Sequence, residues 1–516
     1  MWPRLTFYDV RVIGHYLGVL IMTFTIGLAV PFVTALLFAE WEAAARYLTA
    51  MGITLIVGSA LRFMRIQPGR LQRNQALMVT GLAWIILGVL AAVPLYFSGH
   101  YLSYMDALFE GVSGLTTTGA STVVDLDHLS YADNMWRFAM HFIGGLGLVV
   151  VGLTFGLFGK GGGGSLFASE GHSEHVVPNV MQTTRFILKI AIVFVALSTL
   201  TVSIVCISLG MEPVRGILQA LWISISAFMT AGFTPMSQSI MYYHSQIIEV
   251  ATLMVMLLGT INFSLHSQIL NGNVREFFND MEVKMGGVWL VVIVVVFAAS
   301  LSGSATFSDL PAMVRRGTYM VVSAFSTTGF QNVTQSQLID SFSSGAFLVL
   351  AILMAVGSTS GSTAGGIKLN RLVIIVKSVV AALKRTLSPD SARVVVSYYH
   401  LGRRTLTSGV VGEAMTVTAL YAVTYIIGAL VGIAHGYEAS QAIFESIAMA
   451  SNGGISSGVV APGMPISLET FYIFEMWAGR LEFVTLMALV VQIVVSATPR
   501  SLPDWWTRRR AERVRR

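Results

Sequence analysis

Apolar and polar positions alternate along this chain in a recurring order: a long apolar run, a shorter amphiphilic stretch closed by a polar turn, then a second long apolar run. Read against the roughly 20 apolar residues that a bilayer-crossing helix requires, the pattern predicts helices near 13–38, 47–61, 76–97, 136–158, 186–209, 246–270, 287–302, 342–383, 408–434 and 468–497. Between alternate pairs lie 104–122, 217–235, 314–332 and 439–458, which are too short and too polar to span. The expected fold class is an all-α integral membrane protein.

The four interposed segments repeat one another. Aligned on a glycine, SGLTTTG ends at Gly119, SAFMTAG at Gly232, SAFSTTG at Gly329 and AMASNGG at Gly454. Ten residues earlier stands an aromatic (Phe109, Trp222, Tyr319, Phe444), and seven earlier a β-branched aliphatic (Val112, Ile225, Val322, Ile447). Six earlier are Ser113, Ser226, Ser323 and Ala448. Self-similarity in one register marks a duplicated supersecondary unit, here helix, half-helix, polar turn, helix, four times over. The expected divisions are a two-helix N-terminal extension at 1–74, repeats at 75–165, 166–272, 273–400 and 401–500, and a basic cytoplasmic tail at 501–516.

Composition agrees with a membrane chain: of 516 residues, 54% are hydrophobic and 11% charged, with a mean hydropathy of +0.72, far from a soluble domain. The first apolar run is long and lacks a small-residue cleavage site, so it reads as an anchor. The single Cys206 excludes an intrachain disulfide framework and makes a cysteine metal cluster implausible. Placement of charge says more than the net +6. Four arginines lie in 62–73, five Lys or Arg in 384–404 and seven arginines in 500–516, whereas 98–133 holds Asp106, Glu110, Asp125, Asp127 and Asp133 with no basic residue. By the positive-inside rule both termini are cytoplasmic and the acidic loop is outside. The basic tail is what that rule predicts, and no nucleic-acid partner is expected.

Backbone at membrane depth must be bonded within its own segment, be buried in protein, or line a wet cavity. A TTTG turn is neither helix nor strand, so four equivalent turns are expected to meet on one axis with their carbonyls facing a shared pore. The half-helices would aim their C-terminal ends, and hence partial negative charge, at a dehydrated cation. Glycine relieves the Cβ clash of such a backbone, and a threonine hydroxyl holds the turn or adds an oxygen ligand. Oxygen donors without thiolate or imidazole suit a hard cation. Any one stretch read alone is an ordinary extracellular turn; the fourfold register sets that reading aside. With one clear glycine per unit, the filter is expected to be shorter than that of a TVGYG channel.

Other polar features lie in apolar surroundings. Gly357, Ser358, Thr359, Ser360, Gly361, Ser362, Thr363, Ala364, Gly365 and Gly366 interrupt the apolar stretch 342–383, and a bilayer tolerates such a break only beside a cavity. A gate is expected there, with a glycine-rich cytoplasmic turn as the alternative. Lys368 follows Gly366-Ile367 without the GK[ST] ending of a nucleotide P-loop. Arg480 falls near the middle of the last apolar run, where an arginine costs about 2.5–3.5 kcal/mol or more and must face a cavity or a partner. Glu475 and Glu482 are the nearby carboxylates. His172, Glu174 and His175 lack a third metal ligand nearby and read as a solvated linker. Asp106, Glu110 and Glu445 are placed at outer half-helix ends, where they compensate the helix dipole.

Together FEGVSGLTTTGAST at 109–122, HFIGGLGLVVVGL at 141–153, INFSLH at 261–266, the turns ending at Gly232 and Gly329, GSTSGSTAGGIKLNR at 357–371 and GRLEFVTLMAL at 479–489 resemble the Trk/Ktr/HKT superfamily of potassium transporters, most of all its TrkH/TrkG branch. The resemblance covers nearly the full length. It implies a homodimer in the bacterial inner membrane, one pore per protomer, potassium as the transported ion, no covalent cofactor, and a cytosolic TrkA-like regulatory subunit that carries the only nucleotide. It places potassium-coordinating positions at Thr117, Thr118, Thr230, Ala231, Thr327, Thr328, Asn452 and Gly453, with filter glycines Gly119, Gly232, Gly329 and Gly454. It makes 357–366 an intramembrane gate and sets Arg480 in the pore as an electrostatic barrier. The chain departs from an all-threonine pattern at Met229-Thr230-Ala231 and Ser451-Asn452-Gly453.

Two other classes compete. A secondary transporter built on inverted repeats would reverse topology between copies, whereas all four polar turns here follow an outward-going helix. An ion-coupled symporter of the same architecture stays open. An intramembrane enzyme would need a nucleophile with a base or a metal triad, and no HExxH metal motif is present.

Overall fold

The computed structural model describes residues 4–64, 66, 71–147, 150, 180–301, 310–334, 337–338, 342–389, 391–392 and 394–498. The stretch with His172, Glu174 and His175, the end of the helix expected at 136–158, and the tail 501–516 lie outside them.

Among the described residues six helices are long and apolar enough to cross a membrane, or up to eight when two bent pairs are each taken as one span. Two of these form the N-terminal extension, Phe7–Leu37 and Trp41–Arg62. Thr6 and Asp9 start the first with a reciprocal capping box, which satisfies otherwise orphaned amides. The two helices approach through Gly18 and Gly58: a Cβ on Gly18 would run into the backbone of Arg62 and Gly58. Thr25 Oγ1 donates to Thr54 Oγ1 across the same seam at 2.9 Å. Small residues with a crossing hydroxyl hold helices together where lipid removes the hydrophobic drive.

The repeats follow the predicted order. Their half-helices are Tyr104–Leu115, Pro213–Phe228, Leu310–Phe325 and Ala439–Ala450. At 12 to 16 residues and 1.5 Å per residue, each reaches only partway through a hydrocarbon core of about 30 Å. Ser103 caps the first by accepting from Asp106 N, and Glu212 caps the second ahead of Pro213. The aromatics ten residues before each glycine explain the strongest part of the repeat: Phe109, Trp222, Tyr319 and Phe444 are all buried. Trp222 stacks on Phe138 with ring centroids 5.7 Å apart.

Two predicted helices differ. The run 246–270 is broken into Gln246–Thr260 and Phe263–Leu270, bent by 101°, because Asn262 caps the second piece by accepting from Ser264 N at 2.7 Å. The run 468–497 is broken into Ile466–Arg480 and Val484–Ala497, bent by 112°, where Glu482 and Phe483 take positive φ. Arg480 therefore ends a helix and does not sit inside one. The break expected at 357–366 is present: Ser344–Ala355 stops, a two-residue parallel pairing of 356–357 with 367–368 closes a loop, and Leu369–Leu387 resumes.

Candidate functional site

Each half-helix ends in the same backbone bend. The residue two before the glycine is left-handed in all four copies, with φ of 57° at Thr117, 49° at Thr230, 51° at Thr327 and 52° at Asn452. The glycine follows at φ 81°, 91°, 91° and 61° for Gly119, Gly232, Gly329 and Gly454. The intervening N–H turns back onto its half-helix: Thr118 N to Ser113 O at 2.9 Å, Ala231 N to Ser226 O at 2.9 Å, Thr328 N to Ser323 O at 3.0 Å and Gly453 N to Ala448 O at 2.7 Å. Among the described residues no protein donor meets the carbonyls of Thr117, Thr118, Thr230, Ala231, Thr327 or Thr328. The residues that carry these oxygens are buried, where a carbonyl is otherwise almost always paired.

The glycines show where the four bends lie relative to one another. A Cβ on Gly119 would strike the Ala231 carbonyl, one on Gly232 the Thr328 carbonyl, one on Gly329 would come 2.9 Å from the Gly453 carbonyl, and one on Gly454 would strike the Thr118 carbonyl. First meets second, second meets third, third meets fourth, and fourth returns to the first. Four turns spread over more than 300 residues of sequence thus close one ring.

Side chains brace the ring unevenly. Ser113 Oγ donates to Ala120 O at 2.6 Å and Ser323 Oγ to Phe330 O at 2.7 Å. Thr118 is tied to Thr116 at 2.8 Å and Thr328 to Ser326 at 2.7 Å. Glu110 and Glu445, nine residues before their glycines, sit inside half-helices and not at their outer ends. They accept from Thr122 N at 2.9 Å and Ser457 N at 2.8 Å, so each holds the chain leaving the turn. Asp106 does lie in a first turn, and it reaches across to accept from Gly463 N at 3.0 Å.

The loop from 357 to 366 packs against this ring. Thr363 Oγ1 lies 3.1 Å from Thr230 Oγ1 and donates to Phe228 O and Gly259 O, each at 3.0 Å. Gly365 N donates to Thr327 Oγ1 at 2.8 Å, and a Cβ on Gly365 would hit the Ser451 carbonyl. Thr359 N donates to Thr260 O at 3.3 Å, Ser358 Oγ to Gly365 O at 3.1 Å, and Ser362 Oγ to Thr359 O at 2.6 Å. Gly361 accepts from Phe263 N at 3.1 Å, Lys368 Nζ donates to Ala364 O, and Gly357 and Gly366 flank the closing strand pair.

Arg480 joins the loop to the remaining bend. Its Nη1 donates to Thr117 Oγ1 at 3.0 Å and Thr363 O at 3.1 Å, and its Nη2 to Gly144 O and Gly145 O. Of the nearby carboxylates, Glu482 pairs with Arg371 and Glu475 accepts from Ser446 Oγ. The predicted residues therefore converge: the turns form the ring, the loop packs against it, and Arg480 touches both. Sequence reading missed Glu282, which accepts from Ser360 N and Asn370 N at 2.9 Å each and so ties the loop to the start of the helix that follows it. An acid heading an apolar run was the available signal. It also missed Asn262, whose cap shapes the bend beside the loop.

The family described as TrkH, cation transport protein, matches residues 44–498. The chain is 29% identical to an uncharacterized cation transporter of Methanocaldococcus jannaschii, over 94% of this chain and 96% of that one. It is 27% identical to the Trk system potassium uptake protein TrkH of Escherichia coli, over 93% of this chain and 98% of that protein. The crystal structure of the potassium transporter TrkH from Vibrio parahaemolyticus shares the fold, with a TM-score of 0.79 at 23% identity, covering 94% of this chain and 99% of that one.

Proposed function

The chain belongs to the TrkH family of cation transport proteins, and from that premise we propose that it takes up potassium through the ring of filter carbonyls. The single observation that carries this reading is the ring itself: four left-handed bends, each glycine against the carbonyl of the next, with six filter carbonyls that meet no protein donor among the described residues. Such oxygens replace the hydration shell of an alkali cation, which a layer of carbonyl dipoles favours. Thr117, Thr118, Gly119, Thr230, Ala231, Gly232, Thr327, Thr328, Gly329, Asn452, Gly453 and Gly454 would line the ion's path. The loop 357–366, bonded to the undersides of the second and third bends, would be the gate. Arg480 would set a positive charge beneath the filter and shorten ion dwell.

The remaining expectations complete this reading: four repeats with the divisions given above, a homodimer with one pore per protomer, a bacterial inner-membrane location with both termini cytoplasmic, and a TrkA-like regulatory subunit that carries the nucleotide. The relatives named as parts of a Trk system support a multi-component assembly. Rubidium tracer flux into proteoliposomes tests the function. The expected result is saturable flux competed by potassium more than by sodium and without fixed proton stoichiometry. A strict proton or sodium ratio would replace the pore by a coupled carrier, and absent flux would remove transport altogether.

A further inference from the structure

Outside the pathway, one cluster of metal-ligating side chains is assembled from distant parts of the chain. Asp280 and Glu282 stand at the head of the helix Met281–Leu301. His400 lies at the turn of the antiparallel hairpin that pairs 397–399 with 403–405. All three are fully buried. His400 Nδ1 is 3.1 Å from Asp280 Oδ2 and 3.6 Å from Glu282 Oε2, and one ligand atom from each residue lies within 4.8 Å of the others.

We propose that Asp280, Glu282 and His400 bind one divalent transition cation of the zinc class. A tetrahedral site with bonds of about 2.0–2.1 Å has ligand-to-ligand edges of roughly 3.3–3.4 Å, and the two imidazole-to-carboxylate separations bracket that value. The carboxylates are also oriented for the task. Asp280 Oδ1 is taken by Glu282 N at 2.9 Å. Glu282 Oε1 is taken by Ser360 N, Ser360 Oγ and Asn370 N, each at 2.9 Å. The second oxygens, Oδ2 and Oε2, turn toward the imidazole, with longer contacts to Leu401 N at 3.3 Å and Ser360 Oγ at 3.0 Å. Outer partners that fix ligating oxygens in this way are characteristic of metal sites. Among the described residues neither basic side chain next to the loop bonds the two carboxylates: Lys368 donates to Ala364 O and Arg371 pairs with Glu482. Two carboxylates and one imidazole without thiolate suit zinc or manganese.

The position gives the site a consequence. Glu282 accepts from Ser360 within the loop and from Asn370 just after it, so a cation would tie that loop to the hairpin carrying Arg403 and Arg404, which are exposed. The proposal stands whether or not potassium is the cargo.

The test uses the full chain purified in detergent, stripped with a chelator, loaded with zinc chloride or manganese chloride, and desalted before elemental analysis and thermal melting. The wild type is expected to retain about one zinc per chain and to melt higher with zinc than without. Asp280→Asn and His400→Ala should lose both effects, and Ser360→Ala should weaken zinc binding by about tenfold or more through its outer-partner role. His400→Cys keeps a zinc donor and should keep zinc while losing manganese, which guards against variants that merely misfold. Retention no greater than that of His400→Ala, with no zinc-dependent melting shift in the wild type, would overturn the site and leave a hydrogen-bonded His–carboxylate cluster. Rubidium flux measured on the same preparations separates the two conclusions: flux without zinc retention defeats the metal site alone, and zinc retention without flux defeats only the transport reading.

Discussion

The first and fourth repeats make the same bend from different materials. In the first, Ser113 holds Ala120 O, Thr116 ties Thr118, and Glu110 joins the returning chain to a buried Arg137 at 2.8 Å. Arg137 in turn donates to Thr234 O at 3.1 Å and lies over Phe233, 4.1 Å from its centroid, so this half-helix is pinned to the second bend as well. The fourth repeat has Ala448 in place of the serine and Gly453 in place of the second threonine. Its Glu445 holds Ser457 N and Oγ, with no basic side chain bonded to it among the described residues. Asn452 supplies what is missing by donating across the ring to Thr118 Oγ1 and to Met476 O, both at 3.0 Å. The first bend is braced within its own repeat and by the second, and the fourth leans on the first. The backbone geometry is the invariant of the repeat, and side chains are free to vary so long as something holds it.

The largest expected contrast lies in the two glutamates. Glu110→Gln leaves Arg137 buried without its counter-charge and should cost about 3–5 kcal/mol. Glu445→Gln removes no ion pair and should cost about 1 kcal/mol. Melting of the two variants side by side measures the difference, and equal losses would mean that Arg137 finds another partner. Next come the glycines, where both repeats should behave alike. Gly119→Ala and Gly454→Ala each drive a Cβ into a neighbouring carbonyl from a left-handed backbone. At about 1–3 kcal/mol of strain, potassium uptake in a strain lacking its own importers should fall by roughly tenfold or more in both. Normal uptake in either would show the ring open at that joint. Asn452→Ala should then act on both bends, freeing Thr118 Oγ1 and Met476 O at about 1–2 kcal/mol and lowering potassium-over-sodium discrimination while the protein still melts cooperatively. Unaltered discrimination would place the crossing bond outside the selective step. Smallest are the serines. Ser113→Ala and Ser323→Ala should each cost about 1 kcal/mol, whereas Ser226→Ala, whose buried hydroxyl meets no partner, should stay within about 0.5 kcal/mol. A melting series on the three ranks them directly.

Much of this was legible in the chain. The register of aromatic, aliphatic and serine positions before each glycine is a local property, and it survives because each half-helix must bury the same face and end in the same bend. The interruption at 357–366 was legible for a similar reason, since glycine and serine cannot continue an apolar helix cheaply. Arg480 was singled out by the cost of its charge, but its setting was not: the helix break at 481–483 and its bonds to Thr117, Thr363 and Gly144 depend on elements hundreds of residues away.

By itself, then, the sequence determined what each segment is: apolar lengths that cross, half-lengths that stop, and glycines where the backbone must turn left-handed. Only the tertiary structure decided who meets whom. The closure of the fourth bend onto the first, the loop under the second and third, and the joining of His400 to Asp280 across 120 residues are pairings between elements. Hydrophobic periodicity records which face of a segment is buried and carries no information about the partner buried against it.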